Sequence, residues 1–201
     1  MQFGIKHQET YSRGELILRT LFGALYIALP HFFLLIFVLI GSMFINFIAF
    51  WAILFTGKFP EGMFNYQVNV QKWSLRVNAR MLNLSDGYPA FGMSGQDKNT
   101  MIEVERQESY NRGTVLLRQF FGIIYVIIPH VFCLFFLQIG AVFIRIIAFW
   151  VVLFTGKYPK GMHDYMVGVL RWNFRLGLYI TFLTDKYPPF SGSGDEATFE
   201  Y

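Results

Sequence analysis

Residues Phe50–Met63 read FWAILFTGKFPEGM, and residues Phe149–Met162, ninety-nine positions later, read FWVVLFTGKYPKGM. The Thr-Gly-Lys at the centre invites comparison with a phosphate-binding loop. Such a loop needs a glycine five residues before the Gly-Lys pair and a Ser or Thr directly after it. Here Ala52 and Val151 occupy the first position, and Phe59 and Tyr158 the last. The phrase reads instead as punctuation. Thr56-Gly57 and Thr155-Gly156 end an apolar run, Gly suits the left-handed residue that closes a helix, and Pro60 and Pro159 follow three residues on.

The repetition extends well beyond this phrase. With the same shift of 99, QETYSRG at Gln8 falls on QESYNRG at Gln107, and Pro30 and His31 fall on Pro129 and His130. Trp73 and Arg76 fall on Trp172 and Arg175, and SDGYPAF at Ser85 falls on TDKYPPF at Thr184. A fixed period governs the reading of everything else. It predicts two tandem repeats, residues 1–91 and 101–190, joined by a polar linker at 92–100 and followed by a polar tail at 191–201.

Aromatic residues make up 19% of the chain and charged residues only 15%. The charges avoid two runs: 20–56 has none in 37 residues, and 119–155 has only Arg145. Runs of this length and polarity predict an integral membrane protein. As one straight helix, each would measure roughly 55 Å against a hydrocarbon core of about 30 Å. Outside the runs lie sixteen Lys and Arg: three before the first run, eight between the runs and five after the second. One span per repeat would divide them evenly between the two sides, whereas a hairpin per repeat puts all sixteen on one side, in keeping with the positive-inside rule. The expectation is therefore an all-α membrane protein in which each repeat is a helical hairpin, spanning or re-entrant, turning near Gly41 and Gly140. Both termini would be cytoplasmic and the chain multi-pass.

After each hairpin the spacing predicts an amphipathic helix, over 61–84 and 160–183, with aromatic and aliphatic residues on one face and bases on another. Lys58, Lys72, Arg76, Arg80, Lys157, Arg171 and Arg175 are candidate headgroup contacts, and Trp51, Trp73, Trp150 and Trp172 candidate interface anchors. The partners expected are the bilayer, anionic lipids included, and other membrane subunits. The net charge of +4 suits the cytoplasmic leaflet better than nucleic acid. The two short leaders, QFGIKHQ and MIEVERQ, alternate weakly and could pair as strands.

The run AFWVVLFTGKYPKGMHDYMVGVLRWNFRLGLYITFLTDKYPPFS, Ala148 to Ser191, resembles a bacterial membrane-protein family catalogued as a domain of unknown function. That family carries an apolar helix ending in Phe-Thr-Gly, then Tyr-Pro, an Arg-Trp helix and a closing Thr-Asp-x-Tyr-Pro-Pro-Phe. The first repeat departs from this ending at Ser85, Gly87 and Ala90. The resemblance implies a bacterial inner-membrane location and supplies no reaction or cofactor.

Few residues suggest chemistry, and the chain is read as non-enzymatic. His31 and His130 follow prolines inside apolar runs, where a histidine commonly caps backbone groups that the proline frees. Arg145 stands about 16 Å of helix from Gly156, and its equivalent is Asn46. An ionisable residue in such a run marks a functional site by default, with Asn46 and Gln138 among its candidate partners. The favoured function is a membrane scaffold or accessory subunit that associates with other membrane proteins. A small homo-oligomeric channel or transporter and a membrane-shaping or lipid-sensing protein are the alternatives.

Overall fold

The structure, a computed structural model, describes residues 1–199. Helix α1 (Arg13–Gly23) continues through a π-helical turn (Ala24–Ala28) into α2 (Leu29–Thr56) without a break. The second half does the same with α4 (Arg112–Gly122), a π turn (Ile123–Ile127) and α5 (Ile128–Thr155). The result is two continuous helices of 44 residues each, both long and apolar enough to cross a membrane. Helices α3 (Glu61–Met81) and α6 (Lys160–Ile180) follow, close to the expected bounds. Strands β1 (Gln2–Ile5) and β2 (Thr100–Glu103) pair antiparallel, as the two leaders suggested.

The hairpin turns do not form. Gly41 and Gly140 lie within α2 and α5, and their smallness serves contact rather than turning. A Cβ on Gly41 would stand 2.7 Å from the Tyr66 hydroxyl, and one on Gly140 2.6 Å from that of Tyr165. These phenols reach the long helices and donate to the carbonyls of Val38 and Leu137, each at 2.8 Å. The helix does not break at Pro30 or Pro129 but passes through a π turn just before each, which widens it where the proline ring would collide with the preceding turn. Pro30 and Pro129 have no N–H for the carbonyls of Tyr26 and Tyr125, four residues earlier. Tyr88 and Tyr187 donate to those carbonyls instead, each at 2.9 Å.

The FTG phrase behaves as punctuation. Gly57 and Gly156 cap the long helices with φ of 73° and 71°. At the other ends, Ser12 and Asn111 accept from the amides of Glu15 and Thr114 as N-caps. The two long helices run antiparallel and are joined reciprocally. Tyr11 N donates to Gly156 O and Tyr110 N to Gly57 O, both at 2.8 Å. Arg13 and Arg112 bind the carbonyls of Phe154 and Phe55 at 3.0 and 3.2 Å.

Each long helix lays one stripe against α3 or α6 and exposes the rest. In the most apolar stretch of each, only 17% and 22% of the residues are buried, so these are not the core helices of a soluble fold. The exposed flank is rich in Phe, Leu and Ile, from Leu21 to Phe55 and from Phe120 to Phe154. On the far side of α3 and α6 sits a polar cap made of the two strands and the loops around 90–100 and 190–196. Four arginines hold it. Arg76 donates to the carbonyls of Ala90 and Gly92, and Arg80 pairs with Asp97. Arg171 donates to Phe3 and Gly192, and Arg175 to Ser191, Ser193 and Gly194 and to Asp195.

Candidate functional site

Where the long helices meet end to end, two related cavities open. The first, about 480 Å³, lies between α1 and α5 and is lined by Thr20, Asn83, Arg145, Trp150 and Tyr158 among others. The second, about 510 Å³, lies between α4 and α2 and is lined by Asn46, Phe50, Trp51, Gln119 and Phe182 among others. A shift of 99 relates about half of the first lining to the second, although Phe59, the counterpart of Tyr158, does not line the second cavity. Asn46 corresponds to Arg145, Phe59 to Tyr158, Phe182 to Asn83 and Gln119 to Thr20.

The two positions read together from the sequence therefore occupy separate cavities, and only one is satisfied. Asn46 accepts from Gln67 at 2.9 Å, and Gln67 accepts from Ser42 at 2.6 Å. In the second half Ser42 and Gln67 become Ala141 and Met166, which removes this network. Arg145 is exposed at the cavity and makes no hydrogen bond or ion pair among the described residues. Gln138, its other expected partner, is exposed on α5 and does not line the cavity.

The remaining walls distinguish spent groups from available ones. Arg19 also lines the first cavity but is saturated by Glu15 and Asp86, both at 2.8 Å, and by Asn83 at 2.9 Å. Asn83 Nδ2 donates to Thr20 Oγ1 at 3.2 Å, which leaves the threonine proton for another acceptor. The Tyr158 hydroxyl is buried without a partner among the described residues. Burial pushes this phenol above its ordinary range, while Arg145 is near enough to pull it the other way.

Several expected lipid contacts lie elsewhere. Arg76, Arg80, Arg171 and Arg175 are 2–6% exposed and hold the cap rather than face headgroups. Their stems cross the outer face of α3 and α6, where loop carbonyls need donors. Trp73 and Trp172 are also buried, each donating from its indole to Nδ1 of His31 or His130 at 2.8 Å. The two histidines thus serve the indoles and stack on Phe91 and Phe190, with ring centroids 3.9 and 4.0 Å apart. They do not cap the proline-freed carbonyls, which the Tyr88 and Tyr187 phenols occupy. Lys58, Lys157, Trp51 and Trp150 are exposed, and Lys72 is half-buried. Asp86 and Asp185 reach across to the starts of the long helices. They accept from the amides of Ser12 and Asn111 at 2.7 and 2.6 Å, and so fasten the starts of the long helices.

Thr20 and Asn83 carried no motif, and Tyr158 stood in the repeated phrase without a chemical role of its own. The signal that finds them is the self-comparison, because their partners at the same period are Gln119, Phe182 and Phe59. His163 is found in the same way, since its counterpart is Phe64. Its ring packs edge-on against His7 and Tyr158, and burial with the neighbouring His7 lowers its pKa to about 4. A histidine held neutral in the fold binds its proton more readily when unfolded. Its stabilising effect is thus complete above the ordinary value near 6.5 and is lost as pH falls toward 4. Acidification through this window should cost about 3 kcal/mol from this residue. His163→Phe, the residue of the other half, should flatten the pH dependence of thermal unfolding between pH 6.5 and 4. A variant as acid-sensitive as the parent would remove His163 as the cause.

Residues 112–192 match the family described as "Domain of unknown function (DUF4389)". The matched segment runs from the start of α4 past α6 and contains Arg145, Tyr158 and the Asp185–Pro189 turn. No curated protein and no solved structure matches the chain.

Proposed function

We propose that the protein is a non-enzymatic membrane scaffold or accessory subunit, built as an internal tandem repeat, that lies in the cytoplasmic leaflet of a bacterial inner membrane. Its apolar underside is the exposed flank of the two long helices, and its cap faces water and other subunits. One observation carries the orientation, namely the level of the charged cap along the long helices. Trp73 contacts His31 and Trp172 contacts His130, and the cap-holding Arg76 and Arg175 follow these tryptophans by three residues each. Because the long helices are antiparallel, the cap straddles the middle of their length. Crossing the bilayer end to end would put Lys98, Asp97 and Glu103 beside hydrocarbon, at a cost of several kcal/mol for each uncompensated charge. Lying in the leaflet keeps every cap charge on the wet side. It also reaches the single-sided distribution of Lys and Arg that the hairpins were invoked to explain, without any turn inside the lipid.

A conducting path fits less well, because Asn46 and Arg145 line separate cavities at opposite ends of the seam. The test is side-specific labelling of single cysteines in a Cys133→Ser background, at Lys58 and at Lys157. These loops lie at opposite ends of the paired helices. Both should react from the cytoplasmic side only. Reaction of the two from opposite sides would establish end-to-end spanning and overturn the in-plane placement.

A further inference from the structure

In the cavity between α1 and α5 the Arg145 cation stands without a hydrogen bond or an anion among the described residues, beside a continuous apolar surface. We propose that this cavity binds the phosphodiester of an anionic phospholipid, with Arg145 as the cation, Thr20 and Tyr158 as neutral donors, and the acyl chains lying on the exposed flank of α5. The proposal rests on the in-plane placement and makes it specific.

The donor set suits a phosphate. Arg145 supplies a planar fork that matches two phosphate oxygens, and Arg19 cannot compete because two carboxylates and an amide already hold it. The threonine proton and the Tyr158 hydroxyl have no acceptor among the described residues, and a buried hydroxyl without a partner is costly unless something completes it. The anion has to arrive with an apolar body. Leu16, Val142, Ile146 and Phe149 are among its apolar lining, and Trp150 at its edge is 52% exposed and continuous with the exposed apolar flank. The sister cavity serves as an internal control. It has nearly the same volume, but Asn46, Phe182 and Gln119 stand where Arg145, Asn83 and Thr20 stand in the first, and the counterparts of Tyr158 and Arg19 do not line it. The second cavity is lined by no charged side chain and the first carries Arg145, so the preference for an anion should reside on one side only.

Trp150 and Trp51 report on the two cavities separately, since Trp73 and Trp172 are buried. The full chain, with Trp51→Phe, is reconstituted into nanodiscs containing lipids brominated on the acyl chains. Trp150 should be quenched about fivefold more effectively by brominated phosphatidylglycerol than by brominated phosphatidylcholine, which corresponds to about 1 kcal/mol for one cationic side chain at a lipid surface. Arg145→Asn, the residue of the other half, should bring the ratio to about one, and Arg145→Lys should keep part of it. In detergent, short-chain phosphatidylglycerol should raise the melting temperature while equimolar inorganic phosphate does not. A ratio near one in the parent, or one unchanged by Arg145→Asn, overturns the site. Equal stabilisation by inorganic phosphate makes the ligand a free anion and overturns the lipid assignment. Loss of a co-purifying subunit in Arg145→Asn without any lipid preference assigns the cation to a protein carboxylate, which also overturns it. The Trp150→Phe chain tests the membrane placement independently. Failure of brominated phosphatidylcholine to quench Trp51 would condemn the placement itself, whereas quenching there without preference at Trp150 condemns only the site.

Discussion

Arg118→Leu should destabilise the protein by about 3–5 kcal/mol, the range for removing one partner from a buried, hydrogen-bonded charge. Arg118 is 4% exposed. Its guanidinium binds the carbonyls of Tyr179 and Thr184 and the carboxylate of Asp185, the last two at 2.9 and 2.8 Å, and lies 3.9 Å from the centre of the Tyr179 ring. Asp185 also accepts from Asn111 N, so one side chain closes the end of α6 onto the start of α4. Leucine would leave the carboxylate without its counter-charge, with only Asn111 N as donor, and would remove the Arg118 donor from two carbonyls. Arg118→Lys should recover only part of the loss, because an ammonium cannot span three acceptors as a fork does. Thermal or denaturant unfolding in detergent measures it. A loss below about 1 kcal/mol would mean that water reaches Asp185 and the pair behaves as an exposed one.

A still larger effect is expected on the exposed apolar flank of the long helices. Phe37 and Phe136 are 61% and 56% exposed, at equivalent places on the two long helices. With lipid as their neighbour, Phe37→Asp together with Phe136→Asp puts two carboxylates into hydrocarbon, at about 2.5–3.5 kcal/mol each on insertion scales. Retention in membranes after an alkaline carbonate wash should fall by at least about a hundredfold, while circular dichroism in detergent stays at the parent value because neither side chain is part of the core. Full retention of the double variant would place that flank against protein or water.

These two positions illustrate what the sequence discloses. The exposed phenylalanines belong to runs whose apolar character is plain, and the C-caps at Gly57 and Gly156 follow from a glycine-lysine-aromatic-proline order that has a single backbone meaning. The α3 and α6 patterns were equally legible. The hairpins were not observed because glycine in an apolar run carries two physical meanings, a turn or a close approach. Only the position of the Tyr66 and Tyr165 hydroxyls, on another helix, decides between them. Arg76, Arg80, Arg171 and Arg175 were misplaced for a related reason. Most of their acceptors are loop carbonyls, which every residue possesses and no residue type advertises. The candidate site was half legible. Arg145 stood out as a lone charge, but its neighbours Thr20, Asn83 and Tyr158 come from three distant stretches and become a set only when the long helices are laid antiparallel.

The reciprocal joints between those helices also set an order of events during synthesis. Arg13 reaches a carbonyl 141 residues further along the chain. At about 5–20 residues per second, that carbonyl leaves the ribosome about 7–28 s later. Throughout this interval the first long helix is present with one flank open, and its apolar run has nothing of its own chain to cover the seam. With the membrane placement proposed above, the polypeptide is expected to engage a membrane, or a carrier that mimics one, before its second half exists.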